Sequence, residues 1–331
     1  MTSTHSDTDA RSATPTILLT VDGSDKDERA IAVGAAIAEL GEAAIRVVRV
    51  FETPIETLSP RASGLGVVDA AHAVRAGALE NVRQSAERVG ALVRTKITWE
   101  VIDGRDVAAT LLEDLEAHDA TFLVMATRAA GAAGRAVQGS VADRLVRESP
   151  RPVVLVPPRA EYMGGKRVTF RRVLVPLDGS MAALRVIPRL LALARAETLE
   201  FVLLQVVRRE HVGGYTMPPG VPALDDEDLD GKAWTHAGAA IAQTRLDDVA
   251  ERLRARGSRA EVRVIESADV RSVVVDAIRN ELVELIAMST RGASGLRRLM
   301  LGSVAEHVVR HSEVPVLLVT ARSGSAIPFM T

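Results

Sequence analysis

Ile17-Leu-Leu-Thr-Val-Asp22-Gly-Ser24 returns later in the chain as Val173-Leu-Val-Pro-Leu-Asp178-Gly-Ser180, 156 residues on. In both places an apolar, β-branched run ends abruptly in an acidic turn, which reads as a buried strand running into a loop. Thr127-Arg128, Gly139-Ser140-Val141 and Pro152-Val153 return as Thr290-Arg291, Gly302-Ser303-Val304 and Pro315-Val316, now 163 residues on. The seven extra residues enter between Phe51 and Trp99. A period this long marks a duplicated domain, since solenoid units run about 20 to 50 residues.

Around these anchors each copy alternates strands with helices. Strands are predicted over 16–21, 45–50, 97–102, 122–125 and 153–156 in the first copy, and over 172–177, 200–207, 261–265, 285–288 and 316–320 in the second. Helical patterns in the first copy span 25–40, 70–93, 106–116 and 138–148. Regular β-α alternation predicts an open parallel sheet with helices on both faces. The domains expected are 14–157 and 170–320, joined by a polar linker over 158–169, with flexible ends at 1–13 and 321–331.

Composition narrows the function. The 331 residues include no cysteine, which excludes a disulfide scaffold, a thiol nucleophile and Cys-ligated metal. A net charge of −2, with 2 Trp, 2 Tyr and 5 Phe, lacks the basic, aromatic footprint of a nucleic-acid binder. No apolar run reaches the roughly 18 residues needed to span a membrane. The polar start from Met1 to Arg11 has no signal-peptide pattern, so a cytoplasmic protein without membrane or nucleic-acid partners is expected.

In an open α/β sheet, ligands sit beyond the carboxyl ends of the strands, where strand order reverses. In the second copy the residues there are Pro176, Leu177, Asp178, Met288, Ser289, Arg291 and Gly292. They are followed, with nine residues between, by Gly302, Ser303 and Val304 at a helix start. Glycines admit an anion close to the backbone, and the amides of a helix N-terminus favour phosphate.

These motifs resemble the universal stress proteins in their tandem, two-domain form. The resemblance covers most of 14–157 and 170–320. It implies two five-stranded parallel sheets in the order 3-2-1-4-5, with the closing strands, Val153 to Val156 and Val316 to Leu318, pairing as a pseudo-dimer; a further homodimer stays open. It also implies an adenine nucleotide, ATP with Mg²⁺, as ligand, and a role as stress-response sensor or regulator with an unidentified protein partner. The family signature is Gly, two residues, Gly, nine residues, then Gly with Ser or Thr. Here Ser289 replaces the first glycine, and Gly292, Gly302 and Ser303 match the rest. Asp178 matches the acidic residue expected at the adenosine, and Val206 the backbone position expected at the adenine.

The first copy departs further. Ala126 and Ala129 replace both leading glycines, while Gly139 and Ser140 remain, and Gly131 and Gly134 have the wrong spacing. A weaker site is therefore expected there, from Asp22, Val50, Thr127, Gly139 and Ser140. Arg128, Arg291, Arg297 and Arg298 read equally as phosphate contacts or exposed rim. The acidic run from Asp225 to Asp230 lacks Ca²⁺-loop spacing and reads as a solvated loop. His307 and His311 lack the context of a zinc pair. No catalytic set emerges, so no enzyme is expected beyond slow hydrolysis of bound ATP. The competing reading is an interaction scaffold of the same fold that needs no nucleotide.

Overall fold

The structure is a computed structural model. It describes residues 14–51, 65–127, 140–160, 168–194, 198–208, 231–290, 301–320 and 322–323, without the side chains of 65–71 and 231–237. The first half runs β1 (Thr16–Thr20), α1 (Asp27–Leu40), β2 (Ala44–Phe51), α2 (Leu65–Leu92), β3 (Ile97–Asp103), α3 (Val107–Ala117), β4 (Phe122–Ala126), α4 (Ser140–Glu148) and β5 (Val153–Val156). The second runs β6 (Arg172–Leu177), a single 3-10 turn (Ala183–Arg185), α5 (Val186–Leu193), β7 (Glu200–Arg208), α6 (Gly231–Arg254), β8 (Arg259–Ser267), α7 (Val270–Asn280), β9 (Leu285–Ser289), α8 (Ser303–His311) and β10 (Val316–Val319).

The ten strands form one sheet in the order β3-β2-β1-β4-β5-β10-β9-β6-β7-β8. Each half therefore has the order 3-2-1-4-5, as the resemblance implies. Within a half every pairing is parallel; between halves β5 and β10 run antiparallel, with Val153 opposite Leu318, Val154 opposite Leu317 and Leu155 opposite Val316. These strands are fully buried and made of Val and Leu, so each removes the edge that the other would expose.

The physical cause of the strands is continuous apolarity. β4, β5 and β10 are buried along their whole length, as expected for strands covered on both faces. Two core layers result. One face packs Ile17, Ile37 and Val82 of the first half in the same cluster as Val173, Ile187 and Leu253 of the second. The other joins Leu18, Leu111 and Leu145 to Leu174, Val274 and Val308. Neither layer is interrupted at the β5–β10 seam.

Helix starts repeat between the halves as well. Asp106 caps α3 by accepting from the Ala109 amide at 3.1 Å, and Asp269 caps α7 by accepting from the Arg271 amide at 3.1 Å. Ser149 and Ser312 each close the turn after a helix, the Ser149 hydroxyl donating to the Arg151 carbonyl at 2.7 Å and that of Ser312 to the Val314 carbonyl at 2.6 Å.

Candidate functional site

In the second half, the ladder between β6 and β9 holds for two residue pairs, Val173 with Leu285 and Leu174 with Ile286. Beyond them the strands part, and β6 is the strand where the order reverses. The β6–β7 ladder stops at Leu177 opposite Gln205, while Val206, Val207 and Arg208 continue against β8 alone. A cleft of about 700 Å³ opens there. It is lined by Pro176, Leu177 and Asp178 from β6 and its turn, Val206 from β7, Met288 and Ser289 from β9, and Gly302, Ser303 and Val304 at the head of α8. The nine described positions expected at this site thus share one cavity. Arg291 and Gly292 lie outside the described residues, as do Arg297, Arg298 and the acidic run at 225–230.

The turn after β6 has a local cause. One carboxylate oxygen of Asp178 accepts from the Ser180 amide at 3.0 Å and the Ser180 hydroxyl at 2.6 Å, a side-chain turn that mimics a backbone one. Gly179 sits at φ +81°, where a side chain is strained. The Ser180 hydroxyl in turn accepts from the Ala183 amide at 3.2 Å. These bonds fix Asp178 at the mouth of the cleft.

Opposite, Gly302 precedes α8 with φ −61° and ψ 149°, and no side chain caps the helix. Its amide donates to the Thr290 carbonyl at 3.1 Å, tying the helix head to the end of β9. A Cβ built on Gly302 would lie 3.3 Å from that carbonyl oxygen. Glycine is favoured here for close approach rather than for backbone conformation. The first amides of a helix carry partial positive charge and have no partner within the helix, which suits an anion.

The first half places Asp22, Val50, Thr127 and Ser140 around the corresponding cleft, with Thr20, Val107, Leu111 and Met125. Gly139 lies outside the described residues, with Arg128, Ala129, Gly131 and Gly134. This cleft measures about 240 Å³. Asp22 repeats the turn, accepting from the Ser24 amide at 3.1 Å and hydroxyl at 2.6 Å, and Gly23 has φ +87°. Burial pushes the Asp22 carboxyl up, but the ammonium of Lys26, paired with it, and the Ser24 bonds outweigh this and hold it below its ordinary value.

Sequence reasoning missed several lining residues. Ala183, and Val270 with Val274 on α7, supply apolar wall to the second cleft, and Arg208 supplies a polar group. The signal for Val270 and Val274 was an apolar pair four residues apart just after the Asp269 cap. In the first cleft, Lys26 and Asp27 were missed. Among the described residues no group of three His, Cys, Asp or Glu side chains converges as a metal site. Among them, too, no helix is long and apolar enough to cross a membrane.

Comparison with known proteins agrees with this architecture. Residues 14–157 and 169–320 each match the universal stress protein family. A universal stress protein of Mycolicibacterium smegmatis is 25% identical over 312 residues, spanning 92% of this chain and 97% of that protein. One from Thermus aquaticus is 35% identical over 141 residues, 43% of this chain and 97% of its own length. The crystal structure of a universal stress protein from Archaeoglobus fulgidus superposes with a TM-score of 0.62 at 21% identity, covering 93% of this chain and 98% of that one. With both halves matched and the fold common to all of it, this chain belongs to the universal stress protein family.

Proposed function

We propose that this protein binds an adenine nucleotide, ATP in the first instance, in the cleft of its second half and acts as a regulator in the stress response. The observation that carries the reading is the meeting, in one cavity of about 700 Å³, of an acidic turn at Asp178, the stretch of β7 at Val206 that runs past the β6 ladder, and the head of α8 at Gly302 and Ser303, which no side chain caps. Each part suits one portion of the ligand. Leu177, Val206, Val270 and Met288 offer apolar surface to a base. The Val206 backbone, past the end of the β6 ladder, is assigned to the base edge. The Asp178 carboxylate suits ribose hydroxyls, and the α8 amides with the Ser303 hydroxyl suit phosphate. The volume lies within the range of about 300–1,000 Å³ usual for small-molecule clefts.

Mg²⁺ would ride on the phosphates, keeping most of its water shell, since no described cluster of carboxylates is offered to it. Sensing rather than turnover is the function proposed. Residues 14–157 and 170–320 act as the two domains, with ligand binding assigned to the second and a cytoplasmic setting assigned to the whole.

Two substitutions test the assignment to one half. Gly302→Val places a branched side chain against the Thr290 carbonyl and across the α8 amides, and ATP binding should fall at least tenfold with the circular dichroism spectrum unchanged. Gly139→Val should leave ATP binding unchanged. The reverse pattern would move the site to the first half.

A further inference from the structure

The two clefts differ at a pair of positions far from the glycine signature. Lys26 and Asp27 stand where the second copy, 156 residues on, has Ala182 and Ala183. Asp27 opens α1 and is only 2% exposed. Its carboxylate turns back toward the end of β1 and accepts from the Asp22 amide at 3.1 Å and the Gly23 amide at 2.7 Å. Lys26 completes the cluster through its ion pair with Asp22. All three residues line the first cleft. In the second half, Ala183 is buried at the same place and brings only a methyl group to the wall.

The two clefts differ in size as well as in charge. The first cleft, at about 240 Å³, falls below the size that small-molecule ligands usually occupy, and the second lies well within it. Asp27 also adds a buried negative charge beside the Lys26–Asp22 pair, which disfavours an anionic ligand because charges interact more strongly away from water.

We infer that Asp27, beside the Lys26–Asp22 pair, is a specificity-determining residue that closes the first cleft to adenine nucleotides, so that the chain carries one open site and one narrowed by its own charged residues. The inference rests on the nucleotide reading of the second cleft. It adds that the first half is closed by the start of α1 and not solely by the changed glycines near Ala126.

The test uses the full chain and AMP, whose single phosphate asks little of the signature loop, with binding read by calorimetry. The wild type should take one AMP per chain and the double variant Lys26→Ala/Asp27→Ala should take two. In reverse, Ala183→Asp should weaken AMP binding at the second site by about 100-fold, since it buries a carboxylate there. Thermal unfolding checks that each variant is folded. A double variant that stays at one AMP, or an Ala183→Asp variant that binds as the wild type does, would overturn the inference. So would the absence of AMP binding in every form. A wild type that binds nothing beside a double variant that binds one AMP would sink the second-site reading and leave the role of Asp27 standing.

Discussion

Arg46 on β2 and Asp114 on α3 form a buried ion pair, the Arg46 Nε donating to one carboxylate oxygen at 2.9 Å and Nη2 to the other at 2.6 Å. Each residue is 7% exposed, and Nη2 also reaches Glu100 at 2.6 Å. The second half has Val202 and Ala277 at the matching places, both buried in the core on that face of the sheet. The protein thus holds a charged and an apolar solution to one packing problem.

Removing Asp114 leaves the buried Arg46 with the half-exposed Glu100 alone to meet its charge, at a cost of up to about 3–5 kcal/mol, whereas replacing both members of a buried pair with apolar groups is often neutral. Asp114→Ala should therefore lower the stability of the chain by about that amount in urea unfolding. The double variant Arg46→Val/Asp114→Ala, which copies the second half, should recover most of the loss. A double variant as unstable as the single one would show that the pair is needed for more than its mutual neutralisation.

Gly41, just past α1, gives a second prediction. Its φ of −101° suits any residue, so space is what it supplies. A Cβ there would lie 2.5 Å from the Leu193 carbonyl oxygen at the end of α5, in the other half. Gly41→Val should destabilise the chain by about 1–3 kcal/mol through overpacking. Because both core layers run across the β5–β10 seam, the wild type should unfold in a single calorimetric transition, and the Gly41→Val variant should begin to separate into two.

Asp27 makes stability depend on pH in a predictable direction. Burial, the largest influence, raises its carboxyl from 3.8 to about 6, against the two amide bonds that favour its charge. Between those values the folded chain holds a proton that the unfolded chain has released, so stability from this group is full below about pH 4 and falls until about pH 6. The loss amounts to about 2–3 kcal/mol. Asp27→Asn keeps an acceptor for the amides and removes the charge. Its melting temperature should match the wild type near pH 4 and exceed it above pH 6; a difference constant across that range would refute the assignment.

Much of this architecture was legible in the sequence, for reasons that differ by element. The strands stand out because burial on both faces demands unbroken Val, Ile and Leu, as in Val153 to Val156. The Asp-Gly-Ser turns stand out because positive φ requires Gly23 and Gly179. Local pattern carries no information about which strands become neighbours, and the order 3-2-1-4-5 came from the family resemblance. Asp27 was hidden for another reason. An acidic residue at a helix start has an ordinary explanation, and only its nearly complete burial and its bonds back to Asp22 and Gly23 reveal it as part of a cleft wall. Arg291, Gly292 and Gly139, on which the signature depends, fall outside the described residues and still rest on their spacing.

The central claim is that one cleft of two takes an adenine nucleotide. Calorimetric titration of the nucleotide-stripped chain with ATP and Mg²⁺ tests it most directly, together with chromatography of whatever the denatured protein releases. The account predicts one ATP per chain, lost in the Gly302→Val variant. Two per chain would contradict the closure of the first half, and no binding with no released nucleotide would contradict the claim itself and favour a nucleotide-independent scaffold.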